Sequence, residues 1–99
     1  MDLASLRQDY TLHGLQREDL DPDPIRQFEE WINVAQEAEL LEPNAMVLAT
    51  VDPTGQPFTR TVLLKQLDAR GFVFYTNFES RKAGHIAANA QVSLCFIWL

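Results

Sequence analysis

The chain has 99 residues, 46% of them hydrophobic, which is enough for one domain with one modest core. It begins MDLASLRQDY, without an apolar run behind a basic segment, and no stretch reaches the roughly 18 apolar residues that a membrane span requires. These features predict a soluble, cytoplasmic protein. The net charge of −6 argues against a nucleic-acid partner.

Charge is divided unevenly along the chain. Residues 1–59 contain twelve acidic and three basic residues, whereas residues 60–99 contain two acidic and five basic ones. The five later cations are Arg60, Lys65, Arg70, Arg81 and Lys82. They are too few for a nucleic-acid surface but suit one or two phosphate groups, and ordinary solvated surface charge is the alternative interpretation.

The first part of the chain is predicted to contain two helices and a connector. A short helix is predicted over Leu3 to Tyr10, and the acidic, proline-containing segment from Arg17 to Pro24 is predicted to be extended. Asp23 is the expected N-cap of a longer helix, with Pro24 at its first position. We expect this helix to run to about Leu41.

One face of the longer helix is apolar. Ile25, Phe28, Ile32 and Ala35 recur at spacings of 3, 4 and 3 residues, the period of a helix that buries one stripe. Trp31 flanks this stripe, and we expect it to anchor the helix to a sheet.

From Ala45 the pattern becomes that of strands. AMVLATV is a short apolar run, DPTGQ has turn chemistry and PFTRTVLLKQL resumes an extended pattern, so the three together predict a β-hairpin. A turn over Asp68 to Gly71 then leads to FVFYT, a strand rich in aromatic and β-branched residues.

A short helix and a last strand follow. Ser80 is the expected N-cap of the helix and Asn89 its terminator. QVSLCFIWL is predicted to be a strand with apolar residues on both faces, in which Cys95 is a buried, inert thiol. Because one long helix and four strands cannot close a barrel, we expect a second chain and further residues of a longer parent protein to cover this strand.

The strongest chemical signal lies between Arg60 and Lys82. RTVLLK lies on one predicted strand, FVFYTN on the next, and ESRKA opens the short helix. Hairpin partners lie side by side, so the cations of the first strand can lie beside Tyr75 and Thr76. The helix start adds Arg81 and Lys82 to backbone N–H groups that favour anions. This pattern predicts a phosphate cradle, although capping and surface salt bridges would explain the helix start equally well.

These motifs carry a family resemblance. RTVLLK, GFVFYTN, ESRKA and NAQVSLCFIW, in this order and spacing, resemble the pyridoxamine 5'-phosphate oxidase family, as do LRQDY, DLDPDPIRQFEEW and AMVLATVD upstream. The resemblance implies an α+β, mainly β fold: an FMN-binding split β-barrel, incomplete in this chain, with an N-terminal helix packed on the sheet. Residues 1–23 would be a substrate-covering segment and connector, and residues 24–99 the first part of the barrel.

The resemblance also implies ligand-binding residues. The expected FMN contacts are Arg60, Thr61, Val62, Leu63, Leu64, Lys65, Tyr75, Thr76, Arg81 and Lys82. Of these, Arg81 and Lys82 correspond to the pair that holds the FMN phosphate, and Lys65 also faces the substrate. Arg7 and Tyr10 fall where the family's N-terminal segment covers the substrate, with a frayed surface helix as the alternative.

The implied activity is oxidation of pyridoxamine or pyridoxine 5'-phosphate to pyridoxal 5'-phosphate, with oxygen as acceptor, in a homodimer with FMN at its interface. No carboxylate pair stands out, so no catalytic residue is assigned. Neither His13 nor His85 has a second ligand at metal spacing, so we expect a structural or surface role for each. Later parts of the family's fold are absent from these 99 residues, so we expect weak or no turnover. The alternatives are a non-catalytic split-barrel module that binds FMN or a B6 phosphate, and a different flavin reductase on the same barrel.

Strand alternation poses one geometric problem for this assignment. Arg60 and Lys65 are five positions apart, so in a regular strand their side chains would point to opposite faces of the sheet. A bulge, a strong twist or a Lys65 that lies just beyond the strand would bring them to one site.

Overall fold

The computed structural model describes residues 1–6 and 16–98. In chain order they form a 3-10 helix (Arg17–Asp19), helix α1 (Pro24–Glu37), strands β1 (Ala45–Val51), β2 (Pro57–Leu63), β3 (Gln66–Asp68) and β4 (Gly71–Val73), helix α2 (Arg81–Ala88) and strand β5 (Ser93–Cys95). One antiparallel sheet has the order β2-β1-β5, and β3 pairs with β4 in a separate hairpin. Within the described residues the sheet does not close, and no helix is long and apolar enough to cross a membrane.

Helix α1 begins where the sequence predicts. The carboxylate of Asp23 accepts a hydrogen bond from the backbone N–H of Ile25 at 2.9 Å, and Pro24 is the first helical residue. Proline suits this position because its missing N–H would have no partner within the helix. The preceding connector is not simply extended, because it contains the 3-10 helix and donates the Asp21 backbone N–H to the buried Gln27 side chain at 2.6 Å.

Helix α1 ends at Glu37, earlier than the expected end near Leu41. Glu39 has a φ of 56°, in the left-handed region, and the backbone N–H of Leu40 donates to the carbonyl of Ala35 at 3.3 Å. This is the Schellman ending of a helix, in which a left-handed residue turns the chain away from the helix axis. Glycine normally occupies that position, so a glutamate there is strained.

Phe28, rather than Trp31, anchors helix α1. The Phe28 ring lies 5.1 Å from that of Phe72 on β4, 4.7 Å from that of Phe96 and 5.8 Å from that of Trp98, measured between centroids. Trp31 is 41% exposed, so the expectation that it anchors the helix is wrong. It lies to one side of the apolar stripe that faces these rings.

The first predicted hairpin is confirmed, with β1 and β2 paired along their full lengths. In its turn, the Asp52 carboxylate accepts hydrogen bonds from the Thr54 hydroxyl at 2.7 Å and from the backbone N–H groups of Thr54 and Gln56, each at 2.9 Å. The Thr54 hydroxyl is the main reason why the pKa of Asp52 lies below its ordinary value, with the Gln56 N–H adding to it. Gly55 completes the turn with a φ of 92°, which favours glycine.

The second predicted hairpin is present but shorter than expected. Strand β4 ends at Val73 because its partner β3 is only three residues long, so Tyr75 and Thr76 lie beyond the strand rather than in it. In the turn of this hairpin, the Arg70 side chain and backbone donate to the Asp68 carboxylate and lower its pKa.

The last predicted strand is also shorter, since only Ser93–Cys95 pairs with β1. Beyond it, Phe96 and Trp98 join the aromatic cluster around helix α1, and the Trp98 indole N–H donates to the carbonyl of Pro43 at 2.8 Å. Cys95 is exposed, so the expectation of a buried thiol is wrong. It lies opposite Val47 on the face of the sheet that α2 does not cover.

The covered face of the sheet forms the core that positions the candidate site. Helix α2 packs against β1, and alternate residues of β1 point toward it. The largest fully buried side chains of the described residues are Met46, Leu48 and Thr50. Thr50 is the polar member of this set, so its hydroxyl must find its partners inside the protein.

Candidate functional site

The N-terminus of α2 is capped as predicted. The Ser80 hydroxyl accepts a hydrogen bond from the backbone N–H three residues later at 3.2 Å, and it lies 3.2 Å from the Thr76 hydroxyl. Arg81 and Lys82 form the first turn, and Asn89 ends the helix. The remaining free N–H groups and the positive end of the helix dipole favour an anion at this point.

Arg60 lies on the covered face of β2. Its guanidinium donates from one terminal nitrogen to the carbonyl of Leu48 at 3.2 Å and to the hydroxyl of Thr50 at 2.7 Å. The side chain is half-buried. Because a guanidinium carries several N–H donors in a fixed plane, Arg60 keeps others for a ligand while these two contacts hold it.

A chain of contacts joins Arg60 to helix α2. The Thr50 hydroxyl lies 2.8 Å from Nδ1 of His85, which is buried on α2. The His85 ring packs on Phe58 of β2 with 4.9 Å between centroids, and the Arg81 guanidinium lies 5.4 Å from the centroid of the same Phe58 ring. The fold thereby brings two arginines that are remote in sequence to one face of the sheet.

Sequence reasoning did not single out Thr50, and it assigned His85 a structural or surface role. The structural role of His85 is confirmed by its burial and its hydrogen bond. One signal for Thr50 is present in the sequence, because alternation along AMVLATV places it with Met46 and Leu48 on the inward face. No sequence pattern identifies His85 as the partner of Thr50, because His85 lies 35 residues later.

Lys65 lies just beyond β2, which is one of the three geometries left open by the sequence. Leu64, directly after β2, is still bound to the residue that precedes β1: its backbone N–H donates to the Asn44 carbonyl at 2.8 Å, and its carbonyl accepts from the Asn44 side chain at 2.9 Å. The Lys65 backbone then bonds to Val73 of β4 at 2.8 Å. Strand alternation no longer dictates the direction of the Lys65 side chain.

The structure describes one of the three predicted substrate-binding residues, Lys65. Arg7 and Tyr10 lie outside the described residues, so their roles stay predictions. Lys65 is exposed and lines an open cleft of about 700 Å³ between α1 and the β2–β3 segment. Phe28 and Leu64 form part of the apolar wall of this cleft.

The other predicted contact residues are distributed over both faces of the sheet. Val62 shares the covered face with Arg60, whereas Thr61 and Leu63 point to the open face. Tyr75 is 73% exposed, beyond the end of β4. The structure therefore groups one arginine of β2 with the α2 N-terminus, and it does not place all the predicted side chains on one surface.

Comparison with known proteins reveals close relatives. A family model described as "Pyridoxamine 5'-phosphate oxidase" matches residues 32–98. The whole chain is 59% identical to a pyridoxine/pyridoxamine 5'-phosphate oxidase of Crocosphaera subtropica and 58% identical to one of Rippkaea orientalis. It covers 46% and 47% of these two proteins, so the chain spans about half the length of the relatives it matches.

Two solved structures share the fold. PhzG from Burkholderia lata, in complex with tetrahydrophenazine-1-carboxylic acid, aligns with a TM-score of 0.78 at 31% identity over 86% of this chain and 43% of its own. A pyridoxamine 5'-phosphate oxidase-related, FMN-binding protein of Nostoc punctiforme aligns with a TM-score of 0.66 at 23% identity, over 80% of this chain and 41% of its own. These likenesses confirm the predicted split-barrel fold class. With the family match over residues 32–98, they show that this chain belongs to the pyridoxamine 5'-phosphate oxidase family.

Proposed function

We propose that this chain is the FMN-binding part of an oxidase that converts pyridoxamine or pyridoxine 5'-phosphate to pyridoxal 5'-phosphate, with oxygen as electron acceptor. The observation that carries the proposal is the contact chain that brings Arg60 and Arg81 to one face of the sheet, beside the N-terminus of α2. The names of the relatives support the choice of reaction and substrate.

The residues at this place fit the phosphate of FMN. Arg60, Arg81 and Lys82 supply positive charge, and the Thr76 and Ser80 hydroxyls lie next to the free N–H groups of the helix start. Charge-assisted hydrogen bonds from arginine and lysine to phosphate are shorter and stronger than neutral ones. The excess of basic residues in the later part of the chain favours an anion at the same place.

Bound FMN would supply the two-electron chemistry of the oxidation. In this proposal the chain's own residues bind and orient the reactants: the arginines hold the flavin phosphate, and Tyr75 contacts the cofactor. Lys65 attracts the anionic substrate from its exposed position beside the cleft. Arg7 and Tyr10 cover the substrate.

A homodimer is part of the same proposal. The open face of the sheet carries Val47, Thr61 and Cys95, and the 62% exposed Ile97 lies beside them. An apolar sheet face with an unpaired edge strand favours association with further strands or with a second copy. Sedimentation velocity of the purified chain measures this, and a monomer at all concentrations would contradict the dimer for the chain alone.

Reconstitution with FMN tests the proposed function. The chain is titrated into FMN and flavin fluorescence is followed, first for the parent and then for Arg81→Ala combined with Lys82→Ala. We expect the double substitution to weaken FMN binding by several kcal/mol, since each hydrogen bond to a charged group contributes about 1.5–3 kcal/mol.

Arg70→Ala is the matched control. Arg70 belongs to the same basic part of the chain but pairs with Asp68 at 2.8 Å in the β3–β4 turn, so its removal should leave FMN affinity unchanged. A parent chain that binds no FMN refutes the proposal. Unchanged affinity in the double variant refutes the assignment of Arg81 and Lys82.

A non-catalytic module that binds FMN or a B6 phosphate is the second candidate. It is favoured by the make-up of the described site, where Arg60, Arg81, Lys82 and the capped start of α2 suit phosphate binding and no side chain is assigned to catalysis. Hydrogen peroxide release after pyridoxamine 5'-phosphate is added to the FMN-loaded chain distinguishes the two. Peroxide in proportion to substrate supports the oxidase, whereas FMN binding without peroxide supports the module.

A further inference from the structure

We infer that Thr50 and His85 are positioning residues, which hold Arg60 and Arg81 in the arrangement that binds the FMN phosphate. The inference rests on the proposed function, because it concerns how that phosphate site is held in shape. Neither residue belongs to the set of contact residues implied by the family resemblance.

The hydrogen bonds at Thr50 have a defined direction. Arginine is always a donor, so the Thr50 hydroxyl accepts from Arg60 at 2.7 Å. Thr50 is fully buried, so its own hydroxyl proton requires an acceptor inside the protein. Within the described residues the partner is Nδ1 of His85, at 2.8 Å. Donation from the Thr50 hydroxyl to this nitrogen requires the tautomer of His85 that carries its ring proton on Nε2.

This network orients a side chain that the strand alone would leave free. Strand β2 fixes the backbone of Arg60, but its long side chain retains several rotatable bonds, and ordering them costs conformational entropy. The Thr50 hydroxyl and the Leu48 carbonyl hold the guanidinium in one place before a ligand arrives. Preorganisation of this kind favours binding because the side chain loses less conformational entropy when the ligand binds.

The same network sets the position of Arg81. His85 lies four residues after Arg81, so the two side chains share one face of α2. Both lie against Phe58, His85 at 4.9 Å and Arg81 at 5.4 Å from the ring centroid. The Thr50–His85 bond fixes α2 against β1, and with it the start of the helix that the phosphate would approach.

A comparison of FMN with riboflavin separates a positioning role from a merely structural one. Riboflavin lacks the phosphate, so a defect confined to the phosphate site changes FMN affinity and leaves riboflavin affinity unchanged. A general loss of folded structure weakens both equally. The readout is therefore the dissociation constant of riboflavin divided by that of FMN. Both constants are measured by flavin fluorescence quenching on the 99-residue chain.

Thr50→Val is the main variant because it keeps the shape of the side chain and removes the hydroxyl. We expect the preference for FMN over riboflavin to fall by about tenfold, which corresponds to about 1.4 kcal/mol. Thr50→Ser, which restores the hydroxyl, should restore the preference. Thr59→Val is the matched control, since Thr59 is exposed on the opposite face of β2, and it should leave the ratio unchanged.

A second variant keeps the inference testable if Thr50→Val folds poorly. His85→Phe retains an aromatic ring against Phe58 but removes the Nδ1 acceptor, and it should lower the same ratio. Independently of flavin, ¹⁵N NMR of His85 in the parent chain at pH 8 should show the Nε2–H tautomer. The Nδ1–H tautomer would overturn the hydrogen-bond direction on which the inference depends.

The possible outcomes separate the two proposals. A parent chain that binds FMN no more tightly than riboflavin, or binds neither, overturns the proposed function and this inference with it. A parent preference for FMN that survives in both Thr50→Val and His85→Phe overturns the positioning inference alone. Equal losses of FMN and riboflavin affinity also overturn it, because they leave Thr50 and His85 a structural role only.

Discussion

Replacing Phe28 with alanine is expected to lower the free energy of unfolding by about 3 kcal/mol. Phenylalanine-to-alanine substitutions in protein cores cost about 3–5 kcal/mol, and Phe28 is half-buried, which places it at the lower end. Part of the loss comes from its ring pairs with Phe72, Phe96 and Trp98, since each such pair contributes about 0.5–1.5 kcal/mol beyond area burial. Helix α1 would lose its anchor to the rest of the chain.

Urea denaturation followed by circular dichroism measures this effect, and Trp31→Ala is the control. Trp31 is a larger aromatic residue on the same helix, but it is 41% exposed and lies off the stripe that meets the cluster, so its loss should cost about 0.5 kcal/mol or less. The denaturant slope should stay unchanged in both variants, so that the midpoint reports stability. A Trp31→Ala variant that loses as much stability as Phe28→Ala would refute the assignment of the anchor.

Three further predictions concern the turns and the open face of the sheet. Glu39→Gly should raise the free energy of unfolding by about 1 kcal/mol in the same urea assay, because Glu39 holds a left-handed φ of 56° that glycine adopts without a Cβ clash. The pKa of Asp52 lies below its ordinary value of 3.8, so its stabilising effect is complete above that pH and is lost as the pH falls through the lower folded-state pKa. The difference in denaturation midpoint between the parent and Asp52→Asn should therefore shrink in acid, and a difference that stays constant down to pH 3 would contradict this. The Cys95 thiol is exposed in the single chain and lies on the face that the proposed dimer would cover, so it should react with Ellman's reagent more slowly at protein concentrations at which the dimer forms. A rate that does not change with protein concentration would contradict burial of the open face in a dimer.

Local signals in the sequence predicted the starts of both helices and the two hairpin turns. Asp23 with Pro24, and Ser80 before Arg81, are confirmed as caps. Each signal depends on groups within about four residues of one another, because an N-cap side chain bonds to a backbone N–H two or three positions later. The same range explains the turn at Asp52, whose partners follow within four residues.

The ends of the strands were not predictable in the same way. FVFYT has the composition of a five-residue strand, yet β4 ends at Val73 because β3 offers no further partner. The run QVSLCFIWL pairs only over Ser93–Cys95, and Phe96 and Trp98 leave the sheet for the aromatic cluster. The length of a strand depends on its neighbour, and that neighbour is often distant in sequence.

The candidate site likewise combines features that the sequence predicts with contacts that only the fold decides. The positive charge of Arg60, Arg81 and Lys82 and the capped helix start were evident in the sequence, and the family resemblance supplied their roles. The contacts among them were not evident, because Thr50 and His85 are 35 residues apart and neither stands in a recognisable motif. A buried threonine indicates that a partner exists, but the fold alone determines which residue it is.

By itself, the sequence determined the family, the split-barrel class, the caps and turns, and the position of the basic residues along the chain. Tertiary structure alone decided that Phe28 and not Trp31 anchors α1, that Cys95 is exposed, that Lys65 lies beyond its strand and that Arg60 meets α2 through Thr50 and His85. The physical reason is the separation along the sequence of the residues that interact. Caps and turns form between neighbours in sequence, whereas burial and side-chain partners depend on which distant segments pack together.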